Sequence, residues 1–199
     1  ISGTPTAAGP ATVTLSATNG AGSGTATLTL SIGPAGIAVD RTVFSDGLGT
    51  RTTAAFSTAV AGDLLLAFGA SDGPTTSAQQ LTVSGAGLTW TLVQRRNTQA
   101  GTSEIWRAIA TGVLTNVTVT STQRSGGYYQ SLSVVAFAGA SGTGASVAAS
   151  AATGAPSVAL TTTVAGSYVY GVGNDWDRAV ARTVGANQAI VHQYLAPYG

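Results

Sequence analysis

The amino-acid sequence predicts an all-β protein, an antiparallel β-sandwich of jelly-roll type with a separate β-hairpin in front of it. Three observations predict it. Apolar and polar residues alternate with period two in one short segment after another, as in strands buried on one face. Gly, Asn, Asp and Ser bound those segments, and the chain holds 27 Gly. No stretch shows the 3.6-residue apolar period of an amphipathic helix.

The elements follow in order. Residues 12–18 (Thr-Val-Thr-Leu-Ser-Ala-Thr) alternate strictly, Asn19-Gly20 opens a glycine-rich loop to residue 24, and residues 25–32 (Thr-Ala-Thr-Leu-Thr-Leu-Ser-Ile) alternate again. Two alternating runs around Asn-Gly predict a hairpin. Residues 33–36 (Gly-Pro-Ala-Gly) break the pattern and read as a linker. A sandwich domain then spans residues 37–199. Its strands are expected at 37–45, 50–57, 63–70, 80–84, 88–96, 102–109, 115–122, 130–138, 157–163, 166–173, 178–184 and 188–195. Residues 139–156 are low-complexity and small, and read as a long loop with a poor edge strand. Residues 58–69 and 162–173 also echo each other without gaps: Val-Ala-Gly makes a turn and an apolar strand follows. Read as two Greek-key halves, the echo implies that the second half lacks its last strands.

Composition narrows the chemistry. The chain has 199 residues, of which 8% are charged, against about 25% in an average globular domain. All eight Lys+Arg residues are Arg, and the net charge is +1. That excludes a polybasic nucleic-acid binder, because phosphate neutralisation needs clustered cations. The absence of Cys excludes disulfides, thiolate zinc sites and Cys nucleophiles. The absence of Lys excludes Schiff-base chemistry, Walker loops and Lys–Asn isopeptide bonds. No apolar run reaches the roughly 18 residues of a spanning helix. An Ala/Gly/Thr/Ser/Val-rich, Lys-free composition associates with secreted bacterial β proteins.

The N-terminal segment carries a resemblance. Ile1-Ser-Gly-Thr-Pro5 leads into Val13-Thr-Leu-Ser-Ala-Thr-Asn19. Residues 1–32 thereby resemble the closing half of the immunoglobulin-like, cadherin-like repeats of bacterial surface proteins. The resemblance implies a tandem spacer or adhesion module, of which only the last strands are present. Those repeats are often calcium-associated, but their acidic ligands have no counterpart in residues 1–32, which contain no Asp or Glu. Residues 37–199, with Ala-Gly-Asp-Leu-Leu-Leu-Ala-Phe, Gly-Leu-Thr-Trp-Thr-Leu-Val and Glu-Ile-Trp-Arg-Ala, are similar to an uncharacterised secreted bacterial β-sandwich module. A two-stranded hairpin is marginal alone in water. The apolar face of residues 1–32 therefore needs a cover, from the sandwich or from a neighbouring chain.

Few side chains suit catalysis. His192, the one histidine, lies in an expected strand (Ile-Val-His-Gln-Tyr) and reads as structural or surface. Glu104 is the one Glu. Alternation puts it on one face with Trp106, where it reads as a solvent-facing partner of a cross-strand Arg. Trp90 alternates with Leu88 and Leu92 and reads as core. Arg95 and Arg96 point to opposite faces of their strand. No catalytic residue is expected.

The densest polar cluster is Asn174-Asp175-Trp176-Asp177. Asn174, Asp175 and Asp177 offer oxygen ligands that suit Ca²⁺. Trp176, with Asp175 and Asp177, also suits a sugar, as do Tyr128 and Tyr129 after Ser-Gly-Gly. The plainer alternatives are an Asx-capped turn for 174–177 and packed caps for the tyrosine pair. Two functions follow as expectations. One is a non-catalytic structural or adhesive module of a bacterial cell surface, self-associating by strand exchange into filaments or packing on neighbouring domains. The other is a carbohydrate-binding module of a larger extracellular protein.

Overall fold

In the computed structural model the described residues are 9–32 and 36–197. The Ile-Ser-Gly-Thr-Pro turn, linker residues 33–35 and the final two residues lie outside them. The chain divides into two compact units, Ile1–Gly36 and Ile37–Gly199.

The first unit is a hairpin of β1 (Gly9–Asn19) and β2 (Gly22–Ile32), antiparallel throughout. The expected loop to residue 24 shrinks to two residues, because Asn19 pairs with Gly22 and its Oδ1 accepts the Ala21 N–H at 2.9 Å. Gly22 and Gly24 extend the ladder. The register sets Val13 opposite Leu28, Ala11 opposite Leu30 and Leu15 opposite Ala26. One face is thus apolar and the other is Thr and Ser. Leu15, Leu28 and Leu30 remain about two-fifths exposed.

The second unit contains β3 (Ala38–Leu48), β4 (Arg51–Thr52), β5 (Leu64–Asp72), β6 (Leu81–Gly85), β7 (Thr91–Arg96), β8 (Gly101–Ile109), β9 (Val119–Gln123) and β10 (Tyr129–Ala138). A five-stranded sheet runs β3-β10-β5-β8-β7 and a three-stranded sheet runs β4-β9-β6. All pairings are antiparallel, and the two sheets form the sandwich.

The main core lies between the sheets. Leu65 and Ala67 of β5 and Leu132, Val134 and Ala136 of β10 meet Val83 and Val119 of the smaller sheet, with Phe56 and Leu114 from the connections. Trp90 packs against the edge of this core, as its alternation predicts. The opposite side chains of the central strands, Leu64, Phe68, Val135 and Phe137, form a second cluster. Tyr170 covers it, with its ring 4.9 Å from Phe137 and 5.8 Å from Phe68. Strands β5 and β10 are therefore apolar on both faces, which is why Leu-Leu-Leu-Ala-Phe and Val-Val-Ala-Phe are unbroken runs. Each such side chain contributes about 1.5–3 kcal/mol on full burial.

The sequence expectations fail in three places. Segment 50–57 is a strand only at Arg51–Thr52, with one further bridge from Phe56 to Val117. Asn116 sits at φ +52°, a loop conformation, so the strand expected at 115–122 begins only at Val119. Most importantly, 157–163, 166–173, 178–184 and 188–195 alternate as strands but carry no ladder among the described residues. The 58–69 and 162–173 echo therefore resolves into a turn plus β5 in one copy and an irregular segment in the other. Residues 139–156 likewise hold no strand. They are tied down by Arg107 to the Thr143 hydroxyl and by Arg96 to the Ser150 hydroxyl.

Candidate functional site

At one end of the sandwich, polar side chains fix a set of loops around an open depression of about 370 Å³. Three buried glutamines do the fixing. Gln79 donates to the carbonyls of Asp72 (3.1 Å) and Ser125 (2.8 Å), and its Oε1 accepts the Ser125 N–H at 3.0 Å. Gln123 donates to the Ser71 hydroxyl (2.7 Å) and the Tyr128 carbonyl (2.9 Å). Gln130 donates to the carbonyls of Gly49 (3.0 Å) and Ser121 (3.1 Å). Buried amides fully bonded in this way rigidify the loops they join. The sequence reading missed them, because a Gln in or beside an expected strand reads as a solvent-facing residue.

The depression is lined by Tyr128, Tyr129 and Trp176 together with Leu48, Asp72, Ala100 and the Gly73-Pro74-Thr75 turn. Three residues predicted from two separate sequence motifs thus share one surface. Both tyrosines are half-buried, and Trp176 is 43% exposed. Asn174 anchors the segment that carries Trp176, through its Nδ2 to the Ser71 carbonyl at 3.2 Å and to Asp72 Oδ1 at 3.4 Å. That contact needs Gly101, where a Cβ would lie 2.4 Å from Asn174 Nδ2 and 2.8 Å from the Ser71 carbonyl. Burial pushes the Asp72 carboxyl above its ordinary 3.8; the Asn174 hydrogen bond opposes this and the charge of Asp175 adds to it.

Asp175 and Asp177 stand apart from the depression's lining and are exposed. Asp175 Oδ1 accepts the backbone N–H groups of Asp177 and Arg178, both at 3.2 Å, while Oδ2 is paired with Arg182. Burial alone would raise the Asp175 carboxyl, but these donors, Arg182 first, hold it below 3.8. This is the Asx-capped turn. The Asn174 Nδ2 and both Asp175 carboxylate oxygens are thus engaged within the chain. No group of three or more His, Cys, Asp or Glu side chains able to hold a metal occurs among the described residues.

His192 lies beside the same end. Its Nε2 is 2.8 Å from Asp46 Oδ2, and its ring stacks on Phe44 with centroids 4.0 Å apart. No hydroxyl is hydrogen-bonded to it among the described residues. Tyr194, two residues on, lies 6.3 Å from Tyr129, ring to ring. Burial raises the Tyr194 phenol, with the neighbouring Tyr129 and Asp46 adding to the effect. His192 thus fastens the irregular C-terminal segment to β3.

Glu104 pairs with a cross-strand arginine as expected, but it does not face solvent. It is completely buried between the sheets. Arg95 binds it through Nε (2.7 Å) and Nη2 (2.9 Å). The Leu81 N–H (2.8 Å), the Thr102 hydroxyl (3.0 Å) and Trp106 Nε1 (2.9 Å) also donate to it. Trp106 occupies the face it was assigned because it shares this carboxylate. Five donors on one buried carboxylate make a structural anion that a substrate cannot reach. Arg96 points the other way.

No helix among the described residues is long and apolar enough to cross a membrane. Compared with protein-family models, curated proteins and solved structures, the chain gives no match.

Proposed function

We propose that this chain is a non-catalytic structural or adhesive module of a secreted or cell-surface bacterial protein, assembled by strand addition between copies. The observation that supports this most is strand-patterned sequence without strand partners. The hairpin β1–β2 exposes Leu15, Leu28 and Leu30 on a face free of charge, and residues 9–32 contain no ionisable side chain to oppose close approach. The segments 157–163, 166–173 and 188–195 expose Val158, Val169, Ile190 and Val191 without a ladder. Unpaired edges and apolar faces are templates for another strand. Low charge removes the self-repulsion that keeps proteins apart. The resemblance of residues 1–32 to surface repeats agrees with this reading. Negative-stain electron microscopy of native, unheated protein tests it. Regular fibres are expected, lost in the Leu15→Lys/Leu28→Lys double variant. Dispersed particles of the unmodified chain would remove the assembly reading.

A second reading has its own observation. Tyr128, Tyr129 and Trp176 converge on one pre-set depression beside the Asp72 carboxyl, the combination of aromatic face and hydrogen-bonding group that a sugar ring uses. Affinity gels cast with soluble polysaccharides test it. Retarded migration is expected for the native chain and normal migration for Trp176→Ala and Tyr129→Ala. Identical retardation of all three would exclude this platform.

A further inference from the structure

Far from the tyrosine depression in sequence, two carboxylates meet where β3 slips register. Val39 pairs with Phe137 and Arg41 with Ala136, so Asp40 is bulged out of the ladder with no residue opposite. A bulge re-aims the side chain it carries. Here Asp40 Oδ2 accepts the Ala59 N–H at 2.6 Å, at the turn that leads to Asp63. Asp63 stands immediately before β5, its carbonyl accepting the Ala110 N–H at 2.9 Å. Its side chain is completely buried, and neither Oδ1 nor Oδ2 has a hydrogen-bond donor. The group it faces is the Asp40 carboxylate, another acceptor. The adjacent cation, Arg41, directs its Nε to the Ser57 carbonyl at 3.1 Å.

We propose that Asp40 and Asp63 bind a divalent cation, of the calcium type, between β3 and the start of β5. Buried carboxylate oxygens need partners. A single shared proton bridges one oxygen of each carboxyl and leaves the second Asp63 oxygen unpartnered. A hard dication satisfies both Asp63 oxygens and neutralises the like-charge pair at once. Calcium accepts six to eight oxygen ligands in irregular arrangements, with carbonyls and water completing the shell. Magnesium keeps several waters in a strict octahedron, which suits a completely buried Asp63 carboxyl less well than calcium's irregular shell. Zinc favours nitrogen and sulfur, but the chain has no Cys and its one His is engaged with Asp46. Without a cation the Asp63 carboxyl is pushed up to about 6, by burial first and then by Asp40.

The test uses the full chain after chelator treatment at pH 7.5. Isothermal titration with CaCl₂ should show one site per chain, in the roughly 0.1–1 mM range of extracellular calcium modules. Calcium at ten times that constant should raise the thermal midpoint by roughly 3–6 °C. Asp63→Asn and Asp40→Asn should each abolish both effects, and Asp177→Asn should leave them unchanged. The half-buried Asp40 supplies the decisive variant if Asp63→Asn does not fold. Two results overturn the proposal. One is no calcium response in the native chain, with a midpoint that instead falls as pH rises through 6, which assigns the pair a shared proton. The other is an equal calcium response in the native chain and both variants, which places the ion elsewhere.

Discussion

Replacing Glu104 by Gln probes how the sandwich tolerates a full negative charge in its core. The substitution keeps the side-chain shape and removes the charge. The Arg95 guanidinium, with its side chain 22% exposed, then lacks its counter-ion. The new amide NH₂ must also face some of the five donors that now converge on the carboxylate. Breaking a buried ion pair from one side costs about 3–5 kcal/mol. The partial solvation of Arg95 favours the lower end, about 3 kcal/mol. Midpoints in thermal and urea denaturation measure it, and 3–5 kcal/mol corresponds to a fall of roughly 6–20 °C in a domain of this size. The double variant Arg95→Met/Glu104→Leu sharpens the test. Apolar replacement of both ions is often neutral. Here it leaves the Leu81 N–H and Trp106 Nε1 without acceptors, at about 1–3 kcal/mol for such a loss. With two donors orphaned it should therefore remain unfavourable, by an amount comparable with Glu104→Gln. A loss below about 1 kcal/mol for Glu104→Gln would refute the assignment of this carboxylate as the organising anion of the core.

Two further predictions concern the rim of the depression. Gly101→Ala places a methyl 2.4 Å from Asn174 Nδ2 and 2.8 Å from the Ser71 carbonyl, so the Asn174 tether must open. A destabilisation of about 1–3 kcal/mol is expected, with faster proteolytic cleavage in residues 139–197; unchanged cleavage would show that the tether does not hold the segment. Asp72→Asn tests the raised Asp72 carboxyl. A folded-state pKa above 3.8 means that the folded chain holds the proton more tightly than the unfolded chain. Ionisation then costs stability as pH rises through the folded value. The variant should therefore unfold at a higher temperature than the native chain at pH 7, and the difference should vanish at pH 3, where both side chains are neutral. A lower midpoint for the variant at pH 7 would reverse the sign of the argument.

What the sequence discloses and what it hides divide along a physical line. Alternation specifies which way a side chain points, so it placed Glu104 and Trp106 together, set Arg95 and Arg96 apart, and put Trp90 at the core. It carries no information on how deep that face lies. Glu104 and Gln79, Gln123 and Gln130 look polar and solvent-facing in sequence, yet they are buried because the fold adds distant partners, such as Leu81, Ser125, Ser71 and Gly49, to the local ones. The aromatic site was legible for the same reason that it was incomplete. Tyr128, Tyr129 and Trp176 follow turn residues that expose a ring, but their meeting depends on Asn174 reaching Ser71, 103 positions away.

Segments 157–195 make the converse case. Their pattern is that of strands, and the side chains of Tyr170 and Val172 do reach the sheet face. A strand, however, is defined by hydrogen bonds to a neighbour, and alternation does not supply the neighbour. Tyr170 docks because Phe68 and Phe137 offer it an apolar surface, whereas Val169, 62% exposed, has no surface to meet. Such a segment keeps a strand pattern and one docked face without a ladder. The hairpin differs: β1 and β2 pair fully with each other, and it is the apolar face carrying Leu15, Leu28 and Leu30 that remains exposed. Under the proposed assembly both units would offer these surfaces to a neighbouring copy, which is why the electron micrograph tests that proposal directly.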